Sequence, residues 1–188
     1  SIQAEVVHLD LSRASRVIAE ERARARGLTN VRFITGSLLD PPDAVSGAFD
    51  YIDCCGVLHH LADPRAGLVK LASLLSERGG VGLMLYGELG RTGVYPVQAM
   101  LRMLVGDRAP EAAVVLARRL LTQLPPTNWL RRNPLIGDHL QQGDAGLYDL
   151  LLHARDRAYR VPEIVELARE ANFRIVTFVE PAVYDPSS

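Results

Sequence analysis

The sequence lacks the features that mark membrane, secreted and disulfide-bonded proteins. No apolar run reaches the roughly 18 residues that a membrane-spanning helix needs, and no basic segment followed by an apolar one opens the chain, as it would in a signal peptide. The only cysteines, Cys54 and Cys55, are adjacent, and on a strand such neighbours point to opposite faces, which suits neither a disulfide nor a metal pair. We therefore expect a cytoplasmic protein with buried thiols and no metal site.

The chain also has almost no net charge and very little lysine. Its 188 residues carry a formal charge of −1, and Lys70 is the only lysine. Near-neutrality argues against a general nucleic-acid-binding surface. A hydrophobic fraction of 48% is that of a globular domain with a sizeable core. We expect neither nucleic acid nor a membrane as a partner, and composition leaves the oligomeric state open.

Apolar runs and helix caps alternate in the first half of the sequence. A run rich in valine at residues 5–11 predicts a strand, and Ser12 can cap a helix that reaches Arg26. Further apolar segments at 31–35 and 49–56 predict two more strands. The order is that of successive strand–helix units.

A second helix and a fourth strand complete this pattern. Asp63 and Pro64 predict the start of a helix. The Arg78-Gly79-Gly80 segment predicts a turn into a strand over 81–86. Strands joined through helices run parallel, with right-handed crossovers. The sequence therefore predicts an open, mostly parallel sheet in a three-layer α/β/α arrangement.

The pattern changes after Gly87 and predicts a helical insertion. Two helices are predicted over 94–106 and 109–124, residues 128–144 are expected to be irregular, and a short helix is predicted over 147–153.

The strand–helix pattern returns near the end of the chain. A helix is predicted from Pro162, followed by a strand over 173–179. The predicted domains are a partial α/β core at 1–87, the helical insertion at 88–160, and a return to the core, as a helix plus a sixth strand, at 161–188.

Four segments carry a resemblance to a known family, in matching order and at matching intervals. They are Val7-His8-Leu9-Asp10-Leu11-Ser12, Asn30-Val31-Arg32-Phe33-Ile34-Thr35-Gly36-Ser37-Leu38, Phe49 through Leu61, and Leu74-Leu75-Ser76-Glu77-Arg78-Gly79-Gly80. They resemble the second to fifth strands of class I S-adenosylmethionine-dependent methyltransferases. The resemblance implies a Rossmann-like methyltransferase sheet that binds S-adenosylmethionine and releases S-adenosylhomocysteine.

The resemblance assigns the cofactor contacts to the carboxyl ends of three strands, where ligands bind in open α/β sheets. Asp10, followed by Leu11, would hold the ribose hydroxyls. The other contacts would be Gly36, Ser37 and Leu38 around the adenine, and Cys55, Gly56 and Val57 near the sulfonium. A solvated strand-end carboxylate, a plain loop and simple core packing are the alternatives for these three groups.

Two departures from the family pattern stand out. The first strand with its Gly-rich turn, and a seventh strand after Val179, are not in this sequence, so we expect this chain to act as part of a longer protein. Ser37 stands where the family often has an aspartate that accepts from the adenine amino group. A hydroxyl accepts such a bond more weakly than a carboxylate does.

His60 and Tyr86 are the candidate catalytic residues that the resemblance implies. A histidine near neutral pKa could take a proton from the acceptor during methyl transfer. A helix-start histidine bonded to backbone, and a tyrosine at the edge of the core, are the alternatives. Since methyl transfer depends mainly on positioning, no catalytic residue is obligatory. The insertion, including Arg91 and His153, would select the acceptor.

The predicted function is transfer of a methyl group to a small molecule or a protein. Two alternatives remain open: a non-catalytic methyltransferase-like scaffold or cofactor sensor, and an NAD(P)-dependent oxidoreductase, which shares the ribose-binding acid on the same kind of sheet. The sequence does not identify the acceptor atom.

Overall fold

The computed structural model describes residues 4–184, which divide into two compact units. The sheet unit consists of the described residues within 1–55, 63–83 and 167–188, and the helical unit consists of 56–62 and 84–166. No helix in the described part of the chain has the length and apolar character needed to cross a membrane.

The sheet unit begins with a parallel pair of strands joined by a helix. Strand β1 (Val6–Asp10) leads into helix α1 (Arg13–Ala25) and then strand β2 (Val31–Thr35), as predicted. The Ser12 hydroxyl caps α1 by accepting from the Ser15 amide. β1 and β2 pair in parallel, from Val6 opposite Val31 to Asp10 opposite Thr35. Both strands therefore end at the same edge.

A second pair of strands follows. Strand β3 (Phe49–Cys55) precedes helix α2 (Pro64–Leu74), and the Asp63 carboxylate caps α2 by accepting from the Ala66 amide at 2.9 Å. Strand β4 (Leu75–Met84) then pairs with β3. The predicted strands and helix are confirmed here, except where β4 begins.

The turn predicted at Arg78-Gly79-Gly80 is wrong, because β4 already starts at Leu75 and runs through it. A Cβ atom on Gly79 would lie 2.7 Å from the carbonyl oxygen of Phe49. The glycine thus allows the backbones of β3 and β4 to approach closely. The motif belongs to the strand interior and does not mark the entrance to it.

The sixth strand predicted over 173–179 is also wrong. Helix α8 (Val161–Glu170) is present as expected, but the following residues form no strand. In the described chain they have no ladder partner, and Val176 and Val179 are 85% and 87% exposed. An apolar run becomes a strand only where a neighbour supplies hydrogen bonds. A short 3₁₀ turn, Pro181–Val183, follows.

The helical unit combines two short strands with two long helices. A 3₁₀ turn (Leu58–His60) belongs to it, and strand β5 (Tyr86–Gly87) pairs in parallel with strand β6 (Ala158–Tyr159). Helices α3 (Val94–Val105) and α4 (Pro110–Thr122) confirm the two helices predicted for the insertion.

The segment predicted to be irregular, 128–144, is instead largely helical. It holds α5 (Trp129–Arg132), which Asn128 caps, then α6 (Asp138–Gln141) and the start of α7 (Gly143–Leu147). Helix α7 continues into a π-helical turn, Tyr148–Leu152, which accounts for the short helix predicted there. Burial of Leu130, Leu147, Leu150 and Leu151 explains why these short pieces hold their form.

The core of the helical unit lies between α3, α4 and the α7–π segment. It contains the buried residues Val94, Val97, Leu101, Val105, Ala113, Val114, Ala117, Leu130, Leu147, Leu150 and Leu151. The apolar positions of α3 recur at helical spacing, so one face of the helix is buried.

Gly93, at the start of α3, makes a testable contribution to this packing. Its φ is +92°, and a Cβ atom there would overlap the backbone of Trp129 and Leu130. We expect Gly93→Ala to lower the free energy of unfolding by about 2–4 kcal/mol. The cost of a left-handed backbone conformation at alanine and the cost of the steric overlap with Trp129 and Leu130 both contribute. Urea unfolding would measure this effect.

Two glycines serve as matched controls. Gly143 has a φ of +65° with open space around it, so Gly143→Ala should cost only the backbone term of about 1 kcal/mol. Gly87 has neither a positive φ nor a near neighbour, so Gly87→Ala should change little. Equal losses for Gly93→Ala and Gly143→Ala would contradict the described contact.

Candidate functional site

The predicted ribose-binding acid and the predicted adenine loop lie side by side. Asp10 closes β1, and its backbone oxygen accepts from the Gly36 amide at 3.0 Å, just beyond the last pair of the ladder. The Asp10 carboxylate accepts from the Ser12 amide through Oδ1 at 2.7 Å. Within residues 4–184, Oδ2 has no hydrogen-bond partner. We call Asp10 and residues 36–38 the ribose edge.

Ser37 uses its hydroxyl to shape the loop after β2. The Ser37 Oγ accepts from the Leu39 amide at 3.2 Å. The hydroxyl hydrogen and a second lone pair remain for another partner. Ser37 and Leu38 are half-buried, whereas Leu11 is 76% exposed. A flat, partly apolar group could therefore contact Leu38 and bond to Ser37.

The third predicted group follows strand β3. Cys55 is an exposed thiol whose pKa is raised by its hydrogen bond with Asp53 and by partial burial, so it stays protonated at neutral pH. The chain then turns at Gly56, whose φ is +73° and whose amide donates to the Met84 carbonyl at 3.3 Å. Val57 is 39% exposed. Gly56 and Val57 fall in the helical unit, while Cys55 ends the sheet unit.

His60 is fixed through one ring nitrogen. Its Nδ1 lies 2.8 Å from the Arg155 carbonyl oxygen, which can only accept, so Nδ1 carries the proton. The neutral ring then has its lone pair on Nε2. The ring centroid lies 4.1 Å from that of His153. The backbone bond expected for a helix-start histidine is present, yet it occupies one nitrogen only.

His59 is buried and serves packing. Its ring stacks on Tyr86 with centroids 3.8 Å apart, and 1% of the residue is exposed. Burial, with smaller effects from His60 and Arg91, lowers the pKa of His59 to about 4. It is therefore neutral at physiological pH. Neither ring nitrogen has a hydrogen-bond partner in the described residues.

Tyr86 acts as a hydrogen-bond donor. Its hydroxyl donates to Asp149 Oδ2 at 3.2 Å. Burial, followed by the charge of Asp149, raises the pKa of Tyr86 to about 12, against the opposing effect of Arg91. The Arg91 guanidinium lies 3.7 Å from the ring centroid. Tyr86 thus stays protonated at neutral pH, and it begins β5, separate from β4.

A buried ion pair supports these side chains, and sequence analysis missed it. Arg91, considered above as a contact for the acceptor, donates instead to Asp156 at 2.6 Å, and their side chains are only 5% and 1% exposed. Gln98 also donates to Asp156, at 3.1 Å, and to the Leu150 carbonyl, at 2.9 Å. Arg102 completes the network by donating to Gln98 Oε1 at 2.8 Å.

Asp149 was missed as well, although one sequence feature points to it. Asp149 and His153 are four residues apart, the spacing that places two side chains on one helix face. One potential ligand atom from each of His60, Asp149 and His153 lies within 4.8 Å of the other two.

Comparison with known proteins gives a consistent result. Residues 2–81 match a protein family described as a methyltransferase domain. An uncharacterized protein of Synechococcus sp., syc1184_c, is 34% identical over 160 residues, which cover 83% of this chain and 38% of that protein. The chain therefore spans well under half the length of this relative.

Two solved structures of PKMT2 from Rickettsia typhi have a similar fold. One has a TM-score of 0.61 and 18% identity, covering 88% of this chain and 33% of that one. The other, a complex with AdoHcy, has a TM-score of 0.60 and 18% identity, covering 95% of this chain and 38% of that one. At such identity the likeness shows the fold, which is the Rossmann-like α/β fold predicted above.

The buried ion pair predicts a large loss of stability on truncation. We expect Asp156→Ala to lower the free energy of unfolding by about 3–5 kcal/mol, because it leaves the Arg91 charge buried and unpaired. Asp144, which pairs with Arg118 at the surface, provides the control. Asp144→Ala should cost about 0–1 kcal/mol. Similar losses in both variants, measured by urea unfolding, would contradict a buried Arg91–Asp156 pair.

Proposed function

We propose that this chain is part of a class I methyltransferase and transfers a methyl group from S-adenosylmethionine to a small-molecule or protein acceptor. The methyltransferase-domain match over residues 2–81 supports methyl transfer in general. The ribose edge supports the choice of donor. It carries the proposal, because a carboxylate stands beside a loop at the carboxyl ends of two parallel strands.

The ribose edge has the hydrogen-bonding capacity for a nucleoside. A ribose diol offers two hydroxyl donors, and Asp10 offers two carboxylate oxygens, of which only Oδ1 already accepts a bond, from Ser12. We propose that Asp10 holds this diol. Ser37, with its remaining donor and lone pair, would meet the adenine edge, and Leu38 would pack on the ring face.

The sulfonium end is assigned to Cys55, Gly56 and Val57. The protonated thiol of Cys55 brings no competing nucleophile to an electrophilic methyl group. Gly56, with its positive φ, turns the chain between Cys55 and Val57. These residues would position the donor and not react with it.

The transfer itself is an in-line displacement. S-adenosylmethionine, when bound, would supply a methyl group activated by positive sulfur: an acceptor lone pair would form the new bond to carbon, and the sulfur would keep the electron pair of the broken carbon–sulfur bond. The acceptor then loses its proton. His60, with its lone pair on Nε2, is the proposed proton acceptor, and Tyr86, a protonated donor, is proposed to position polar groups nearby.

The helical insertion, residues 88–160, is proposed to recognise the acceptor.

The complex of R. typhi PKMT2 with AdoHcy supports S-adenosylhomocysteine as the product here too. The scaffold and oxidoreductase alternatives have no comparable support, and both make different predictions for ligand binding.

Calorimetric titration tests the donor site. We expect the intact protein to bind S-adenosylhomocysteine, and Asp10→Ala to weaken binding by about 1–3 kcal/mol, the cost of losing hydrogen bonds to a charged acceptor. Glu5→Ala is the matched control, because Glu5 lies before β1, at the opposite end of the strand. It should leave the affinity unchanged.

The alternatives give other outcomes in the same titration. Binding of NAD in preference to S-adenosylhomocysteine would favour an oxidoreductase, and no binding of either would favour the scaffold. Unchanged affinity in Asp10→Ala would remove Asp10 from the ribose site.

A further inference from the structure

The helical unit contains a group of side chains with the composition of a transition-metal site. His60, Asp149 and His153 each present one potential ligand atom, and these atoms lie within 4.8 Å of one another. We propose that the three side chains, which we call the His–Asp–His cluster, bind one divalent transition-metal ion. This proposal does not rest on methyl transfer.

The hydrogen bonds of His60 and Asp149 are those that metal ligands make. A ligating histidine normally donates its second ring N–H to a carbonyl or carboxylate, and a ligating carboxylate is itself hydrogen-bonded. His60 donates from Nδ1 to the Arg155 carbonyl at 2.8 Å, which leaves Nε2 for a metal. Asp149 accepts from the Tyr86 hydroxyl at 3.2 Å. Both side chains are therefore already oriented by outer partners.

His153 adjusts when the metal binds. Its Nδ1 now accepts from the Arg155 amide at 3.2 Å, so the neutral ring carries its proton on Nε2. A metal bound to Nδ1 takes the place of this hydrogen bond directly. A metal bound to Nε2 moves the ring proton to Nδ1, which then no longer accepts the bond. The Arg155 backbone thus serves both histidines, as acceptor for His60 and as donor for His153.

Asp149 is the one carboxylate of the His–Asp–His cluster. In the described residues Asp149 forms no ion pair with His60 or His153, so these groups do not satisfy one another. The Arg91 guanidinium lies over the Tyr86 ring, and Asp156 neutralises it. Asp149 is exposed, while the two histidines are half-buried, so an ion can reach the cluster from solvent.

The local backbone places two of the three ligands. Asp149 lies in the π-helical turn Tyr148–Leu152, and His153 is its C-cap. Single π-helical turns occur frequently at functional sites. Ligand atoms around zinc at about 2.1 Å lie about 3–3.5 Å apart, and the three candidate ligand atoms already lie within 4.8 Å of one another, so only small side-chain movements are needed on binding.

The donor set selects the kind of ion. Two imidazoles and one carboxylate suit Zn²⁺, Co²⁺ or Fe²⁺, whereas Mg²⁺ and Ca²⁺ favour oxygen ligands. Three protein ligands leave a fourth position open for water or a substrate atom. A metal would take the His60 lone pair that otherwise accepts a proton.

Metal titration of the intact, tag-free protein tests the proposal without cofactor. We expect one equivalent of Zn²⁺ to bind by calorimetry, and His60→Gln, Asp149→Asn and His153→Gln each to weaken binding by about 10-fold or more. Tyr86→Phe, which removes only the outer partner of Asp149, should weaken it by about 10-fold. Mg²⁺ should not compete.

Controls separate this site from other metal-binding groups. Asp144→Asn and His8→Gln replace the same residue types elsewhere, and Cys55→Ser removes an exposed thiol; all three should retain Zn²⁺ affinity. If a ligand variant does not fold, Co²⁺ bound to the unaltered protein still decides, since its visible spectrum should show nitrogen and oxygen ligation without a thiolate charge-transfer band. No Zn²⁺ binding, loss of binding in Cys55→Ser, or equal affinity in the ligand variants would overturn the proposal.

Discussion

The buried ion pair between Arg91 and Asp156 holds the helical unit together. In the sequence, Arg91 precedes the two long helices and Asp156 follows them. Their contact therefore joins the start of the insertion to its end. Asp156 also holds Gln98 of α3, and Gln98 in turn holds the Leu150 carbonyl in the π-helical turn. The guanidinium lies over Tyr86, which stacks on His59. Desolvating the two charges is costly, and their mutual contact, the Gln98 bond to Asp156 and the Tyr86 ring under the guanidinium offset that cost.

Most elements of the fold could be predicted from local sequence features, because those features act over a few residues. Ser12 and Asp63 cap helices wherever an exposed amide follows, and the alternation of apolar strands with helices dictates parallel pairing. The secondary-structure predictions are wrong where the conformation of a segment depends on a residue far away in the sequence. Gly79 is a strand residue because Phe49 approaches it, and residues 173–179 form no strand because nothing in the described chain pairs with them.

The same distinction applies to the candidate site. That Asp10 and Gly36 would lie together followed from topology, since parallel strands end at a common edge. His60 and Tyr86 were found through resemblance to a family. Their surroundings are not predictable from the sequence, because Asp149 reaches Tyr86, and Asp156 reaches the neighbouring Arg91, across more than sixty residues. Such contacts leave no periodicity in the chain, and only the spacing of Asp149 and His153 hinted at a shared face.

The π-helical turn at Tyr148–Leu152 makes the arrangement sensitive to chain length. Each residue added to or removed from a helix rotates everything beyond it by about 100°. A relative with one residue fewer in this turn would keep Leu147 of α7 in place, yet would rotate the equivalent of His153 away from Asp149. Among related proteins, insertions and deletions in this turn, more than substitutions, would therefore decide whether the His–Asp–His cluster is kept.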